Sequence, residues 1–170
     1  MQFIQARNYS RVASRRIDVI VVHSMEAPEK PSTAENVARW FAGPTAPKAS
    51  AHYCIDNDSI VQCVQDHDVA WAAPGANHNG LQLEHAGYAR QTRAEWFDAY
   101  SRAMLNLSVG LAADKCRAYG IPAVWLSPAD LIAGKHGITS HANVTAAFHR
   151  STHTDPGKGF PSDWYVAEVR

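Results

Sequence analysis

Two imidazoles and one carboxylate stand out in this chain: His23, His141 and Asp155. His23 ends the apolar run Ile17-Asp18-Val19-Ile20-Val21-Val22, His141 ends the short segment Gly137-Ile138-Thr139-Ser140, and Asp155 sits in the turn His153-Thr154-Asp155-Pro156-Gly157. Two histidines and one acid can form a three-ligand zinc site whose fourth position is open to water. Nine histidines in 170 residues are a compositional hint in the same direction. Spacing alone is weak support, because more than a hundred residues separate His23 from His141 and nothing local brings them together. His149 or His153 could take the third place instead.

The elements that must position these groups are legible from pattern. Val19 to Val22 are β-branched and continuous, which suits a central strand buried on both faces. The end of such a strand is where ligands collect in open α/β sheets. Met1 to Arg16 reads as an irregular arm, with Arg7, Arg11, Arg15 and Arg16 solvated. Ser32 or Thr33 opens a helix whose apolar stripe is Val37, Trp40 and Phe41, stopped at Gly43-Pro44. Ser50 to Ile55 and Ile60 to Val64 pair across the turn Asp56 to Ser59. Leu81 to His85 is a further strand. Thr92 to Tyr119 is the strongest helical signal, with Trp96, Tyr100, Met104, Leu107 and Leu111 on one stripe and Gly120 as its stop. Ile121 to Leu126 reads as a strand, Ser127-Pro128 caps a short helix to Ala133, Asn143 to His149 is helical, and Pro161 to Arg170 is a closing helix. The class predicted is α/β (α+β): a single mixed central β-sheet, helices on both faces, and the metal site at strand ends.

Composition excludes several functions. Sixteen basic residues balance sixteen acidic ones, which argues against a nucleic-acid partner. No apolar run reaches membrane-spanning length, and Met1 to Ser14 lacks the apolar core of a signal peptide. Cys54, Cys63 and Cys116 form no CxxC pair and read as reduced, small hydrophobes, with Cys54 and Cys63 able to face each other across the hairpin. All 170 residues are expected to form one domain, a size sufficient for a substantial core.

The blocks Val21-Val22-His23-Ser24, Ser50-Ala51-His52, Ile60-Val61-Gln62, Ala70-Trp71, Leu83-Glu84-His85-Ala86-Gly87, Ser140-His141 and Thr154-Asp155-Pro156-Gly157 follow a known order. In them the chain resembles the zinc-dependent type-2 N-acetylmuramoyl-L-alanine amidases, a superfamily shared with peptidoglycan recognition proteins. In texture it is similar to the amidase modules of endolysins from phages of actinobacteria. The resemblance covers roughly His23 to Phe160.

It implies that His23, His141 and Asp155 hold Zn2+ and that Glu84 is the general base. It also implies that His153 stands where many relatives carry a transition-state-stabilising lysine. His153 departs from that lysine, because an imidazole of ordinary pKa, ~6.5, is mostly neutral at pH 7. The implied partner is peptidoglycan and the implied reaction is cleavage between the muramic lactyl group and L-alanine. A non-catalytic wall-binding module on the same scaffold is the alternative. Trp71 and Asn77 are expected to line the substrate groove, with His52 near it in a supporting or structural role. His67, His78, His85, His136 and His149 read as solvated. A monomer is expected, made in a host cytoplasm and acting on the wall after release, whether alone or as one module of a longer lysin.

Overall fold

A computed structural model describes all 170 residues. Its strands are β1 (Gln2–Phe3), β2 (Tyr9–Ser10), β3 (Val19–Ser24), β4 (Tyr53–Ile55), β5 (Ile60–Gln62), β6 (Val69–Ala70), β7 (Gly80–His85) and β8 (Gly137–Ser140). Its helices are α1 (Thr33–Ala42), α2 (Ala99–Tyr119), α3 (Pro128–Ile132), α4 (His141–Phe148) and α5 (Ser162–Val169). Six strands form a mixed sheet in the order β1-β5-β4-β7-β3-β8. β3 is the fifth of the six, an interior strand parallel to β7 on one side and to the edge strand β8 on the other, and all six of its residues are buried. β4 and β5 form the antiparallel hairpin.

Alternation along the strands divides the core. Ile20, Val22, Leu81, Leu83, Tyr53 and Ile55 face one side, under Met104, Leu105 and Leu111 of α2 and Tyr165 and Val166 of α5. On the other side Cys54 and Val61 pack under Ala34, Ala38 and Phe41 of α1. Val19 and Val21 pack there against Leu131 of α3 and Val144 and Ala147 of α4. Helices therefore cover both faces of one mixed sheet, as predicted. His23 shares the second face, between the clusters under α1 and under α3 and α4, because it alternates with Val19 and Val21.

Several local expectations change. The first sixteen residues are not an irregular arm. β1 pairs with β5, β2 pairs with β6, and the Arg15 fork donates to the carbonyls of Asp66 (2.9 Å), Asn77 (3.0 Å) and Gly80 (3.1 Å). Arg7, Arg11 and Arg16 are exposed. The long helix begins at Ala99, not Thr92: Asp98 is extended and its carboxylate accepts from Ser101 N, so it caps α2. The Thr92–Glu95 capping pair forms, but on the separate 3-10 turn Glu95–Phe97. Gly120 stops α2 in the left-handed conformation (φ 67°). On α1 the buried stripe is Ala34, Ala38 and Phe41, while Trp40 is 52% exposed. Ile121 to Leu126 makes one isolated bridge, Trp125 to Ile138, in place of a strand. Cys54 and Cys63 face each other as buried free thiols with Sγ atoms 3.7 Å apart. No helix is long and apolar enough to cross a membrane.

Candidate metal centre and its groove

Three parallel strands end together at one edge of the sheet. The register places His23 of β3 beside Glu84 of β7, and β8 delivers His141 immediately after Ser140. His141 is the first residue of α4, not the last of its strand. Ser140 caps that helix by accepting from Asn143 N at 3.1 Å, which fixes the direction in which His141 leaves the sheet. Asp155 arrives from the loop after α4. Its carbonyl accepts from Ala142 N at 2.9 Å, tying the loop to the start of the same helix. Gly157 allows the close approach that follows: its φ is +87°, and a Cβ there would lie 1.8 Å from the Ala89 carbonyl oxygen.

The three side chains converge. His23 Nδ1 is 3.0 Å from Asp155 Oδ2, and His141 Nδ1 is 3.2 Å from Asp155 Oδ1. The two rings meet edge-on with centroids 4.8 Å apart. All three residues are buried, and one ligand atom from each lies within 4.8 Å of the others. Two imidazole nitrogens and a carboxylate oxygen at this separation, largely buried but facing a groove, fit a divalent cation of the zinc type. The electrostatics agree. Burial alone would raise the Asp155 carboxyl, but hydrogen bonds and charge from His141 and His23 hold it far below the usual carboxylate range. Burial opposes charge on His23, yet Asp155 and Glu84 outweigh it and lift the imidazole to about 9. Asp155 and Glu84 thus favour positive charge at His23, while burial, together with the charge of His23, lowers the His141 imidazole.

Glu84 lies at the floor of a groove of about 290 Å³ shared with His23, His141, His153 and Asp155. Its Oε2 is buried and has no hydrogen-bond partner. Burial first, then the charges of Asp155 and Glu26, push its carboxyl up to about 7 against the pull of His23. A carboxylate balanced near neutrality suits proton transfer. His153 is exposed at the rim, stacked on His141 at 4.5 Å with its Nδ1 3.4 Å from Asp155 Oδ1. Apolar walls come from Met25, Val37, Trp40, Phe41 and Trp71.

Of the expected groove residues, only Trp71 lines it, with its indole N–H donating to Ser10 Oγ at 2.9 Å. Asn77 instead holds a loop: its Oδ1 accepts from Ala72 N and Ala73 N at 3.0 and 2.7 Å. His52 is fully buried. Its Nδ1 accepts from Gln82 N, and its Nε2 sits 3.1 Å from the Asp68 carbonyl. A ring committed on both nitrogens and covered on all sides does not touch a substrate. His85 is also fully buried, not solvated, with Nδ1 2.9 Å from the His23 carbonyl and Nε2 2.6 Å from Ser108 Oγ. It clamps the end of β3 from behind. His149 is the exposed C-cap of α4 and stands apart from the cluster. The reading of the sequence missed Gln82, Glu26 and Trp40. Gln82 and Glu84 alternate with apolar residues on a buried strand, which was the available signal for Gln82.

Burial pushes His52 down to about 3 and His85 to about 4. Both rings stay neutral in the folded chain, while in the unfolded chain they take up protons below pH ~6.5. Their contribution to stability is intact above that value and is lost as pH falls toward 4 and then 3. Thermal unfolding of the metal-free protein is expected to drop steeply between pH 6.5 and 4. His85→Gln should flatten part of that slope; an unchanged slope would show that His85 titrates normally in the fold.

Comparison with known proteins identifies the family. The N-acetylmuramoyl-L-alanine amidase family matches residues 13–158. N-acetylmuramoyl-L-alanine amidase A of Achromobacter lyticus is 31% identical over 167 residues, covering 93% of this chain and 86% of that protein. Among solved structures, a selenomethionine derivative of AmpD has a TM-score of 0.69 at 21% identity, covering 99% of this chain and 94% of that one. The amidase LysC from Clostridium intestinale URNW has a TM-score of 0.63 at 14% identity, covering 99% and 97%. These structural likenesses establish a shared fold, and the family match with the Achromobacter relative goes further. The chain belongs to the N-acetylmuramoyl-L-alanine amidase family.

Proposed function

We propose that this chain is a zinc-dependent hydrolase of peptidoglycan, cutting the amide between N-acetylmuramic acid and L-alanine. The observation that carries the reading is Glu84: a carboxylate whose buried Oε2 has no partner, lining the same groove as a complete His-His-Asp donor set. A module that only binds wall fragments needs neither the full donor set nor a carboxylate held near neutrality, so catalysis is favoured over binding alone.

His23, His141 and Asp155 would hold the ion. Bound there, zinc supplies Lewis acidity, polarising an amide carbonyl and acidifying water at neutral pH. Glu84, lining the same groove as the donor set, accepts the proton of the attacking water and returns it to the departing nitrogen. His153, at the open rim, offers a ring N–H to the oxygen that gains charge, a contribution worth about 3 kcal/mol where measured in other enzymes. Trp40 and Trp71 present apolar faces against which a sugar ring or peptide stem can lie. We read all 170 residues as one catalytic domain that acts as a monomer, with peptidoglycan as partner and neither nucleic acid nor membrane. We place it in a phage lysin, made in the host cytoplasm and acting on the wall after release.

Product analysis on purified cell walls tests the reading. New free amino groups on L-alanine are expected. Release of acetate, or cuts within the peptide stem, would assign the site to another hydrolysis. Trp40→Ala is expected to raise KM about fivefold or more with little change in melting temperature, because the side chain is half exposed and its loss opens no core cavity. An unchanged KM would remove Trp40 from the groove's binding surface.

A further inference from the structure

Gln82 lies two residues before Glu84 on β7 and is completely buried. Its Oε1 is 2.9 Å from His23 Nε2, and its Nε2 donates to the Ala76 carbonyl oxygen at 3.1 Å. The second contact fixes the first. A backbone carbonyl only accepts, so the amide must turn its NH2 toward Ala76 and its oxygen toward His23. A reversed amide would set two oxygens against each other at that distance. His23 Nε2 must then carry a hydrogen and donate it to Oε1, which leaves Nδ1, facing Asp155, as the nitrogen for a metal.

The support continues outward. Asn77 holds the loop 72–77 by accepting from Ala72 N and Ala73 N, and that loop presents the Ala76 carbonyl. Gly80 makes room: a Cβ there would lie 2.3 Å from Ala76 O and 2.8 Å from Gln82 Nε2.

We infer that Gln82 is the positioning residue of the metal centre: its clamped amide keeps the hydrogen on His23 Nε2 and holds the ring with Nδ1 toward Asp155, so that Nδ1 is the nitrogen that gives up its proton to a metal. The inference rests on the metal site proposed above. Partners that orient a ligating histidine typically change metal affinity 10–100-fold when removed. Gln82→Met keeps length and volume but removes both polar contacts.

The test uses zinc alone. Competition against a chelating dye should show affinity falling 10–100-fold in Gln82→Met, with the metal-free variant still unfolding cooperatively at a temperature lowered by the two buried groups left unpaired. Nitrogen-15 imidazole spectra of the zinc-loaded parent should show His23 metallated at Nδ1 with a slowly exchanging proton on Nε2. These spectra decide the matter even if the variant does not fold. Metallation at Nε2, or a zinc affinity unchanged in Gln82→Met, overturns the role of Gln82 and leaves the metal site standing. A parent chain that binds no zinc overturns both.

Discussion

Glu84→Gln is expected to lower turnover on purified cell walls by about 10²–10⁴-fold, the range for loss of a general base. Zinc content should be unchanged. The substitution is isosteric, and the Oε2 it replaces has no hydrogen-bond partner to lose. Stability moves the other way. The Glu84 carboxyl is raised by burial to about 7, so its ionised form weighs against the folded state as pH rises from ~4.5 through 7. An amide has no such cost. Metal-free Glu84→Gln should therefore melt at or above the parent's temperature at pH 8, with a smaller advantage near pH 4. A variant that is more stable and nearly inactive is the signature of a strained catalytic group. Full activity would remove Glu84 from the mechanism, and a large loss of zinc would recast it as part of the metal's support.

Removing the metal, or a ligand, should be the second large effect. His23→Ala is expected to reduce bound zinc from one per chain to a small fraction and to bring hydrolysis to background. It also deprives the buried Asp155 carboxylate of one of the two rings that hold it ionised. Chelation should do the same to the parent chain reversibly, with activity restored by added zinc. Because the ion binds only the folded site, stripping it is also expected to lower stability. At a free zinc concentration 1,000 times the dissociation constant the difference is about 4 kcal/mol, or roughly 8–16 °C for a chain of this length. Elemental analysis and a melting curve with and without chelator measure both. Unchanged metal content in His23→Ala would defeat the ligand assignment.

The parts of this account that were legible from the residues share a physical cause. The run Val19 to Val22 has β-branched side chains on both faces, so its place as an interior strand follows from burial, although it lies one strand from the sheet's edge. The caps of α3 and the stop of α2 at Gly120 are local chemistry, readable within a few residues. Convergence of His23 with His141 and Asp155 was not readable locally. It depends on β3 and β8 lying side by side and on the loop after α4 returning to their shared end, long-range properties of the fold, and the expectation rests on blocks resembling a family.

The failures are equally specific. Trp40 counts toward the apolar stripe of its helix because apolar periodicity cannot separate a buried stripe from a groove wall, and here small alanines fill the buried stripe. Thr92 was read as the start of the long helix because its capping pair with Glu95 is real, while Asp98 three residues on is a second cap that restarts the helix. Arg15 was placed in solvent because nothing near it in sequence is a partner; its acceptors are carbonyls fifty and more residues away. His85 reads as solvated for the same reason, since a neutral, doubly bonded histidine can sit in a core that composition alone would deny it.

Anomalous diffraction at the zinc edge, from crystals of the zinc-loaded protein, tests the centre most directly. One peak is expected between the His23 and His141 rings and the Asp155 carboxylate, at about 2.0–2.2 Å from each ligand atom, with Glu84 nearby but not bonded to it. A peak elsewhere, a site that omits any of the three side chains, or no peak in protein that still hydrolyses cell walls would contradict it.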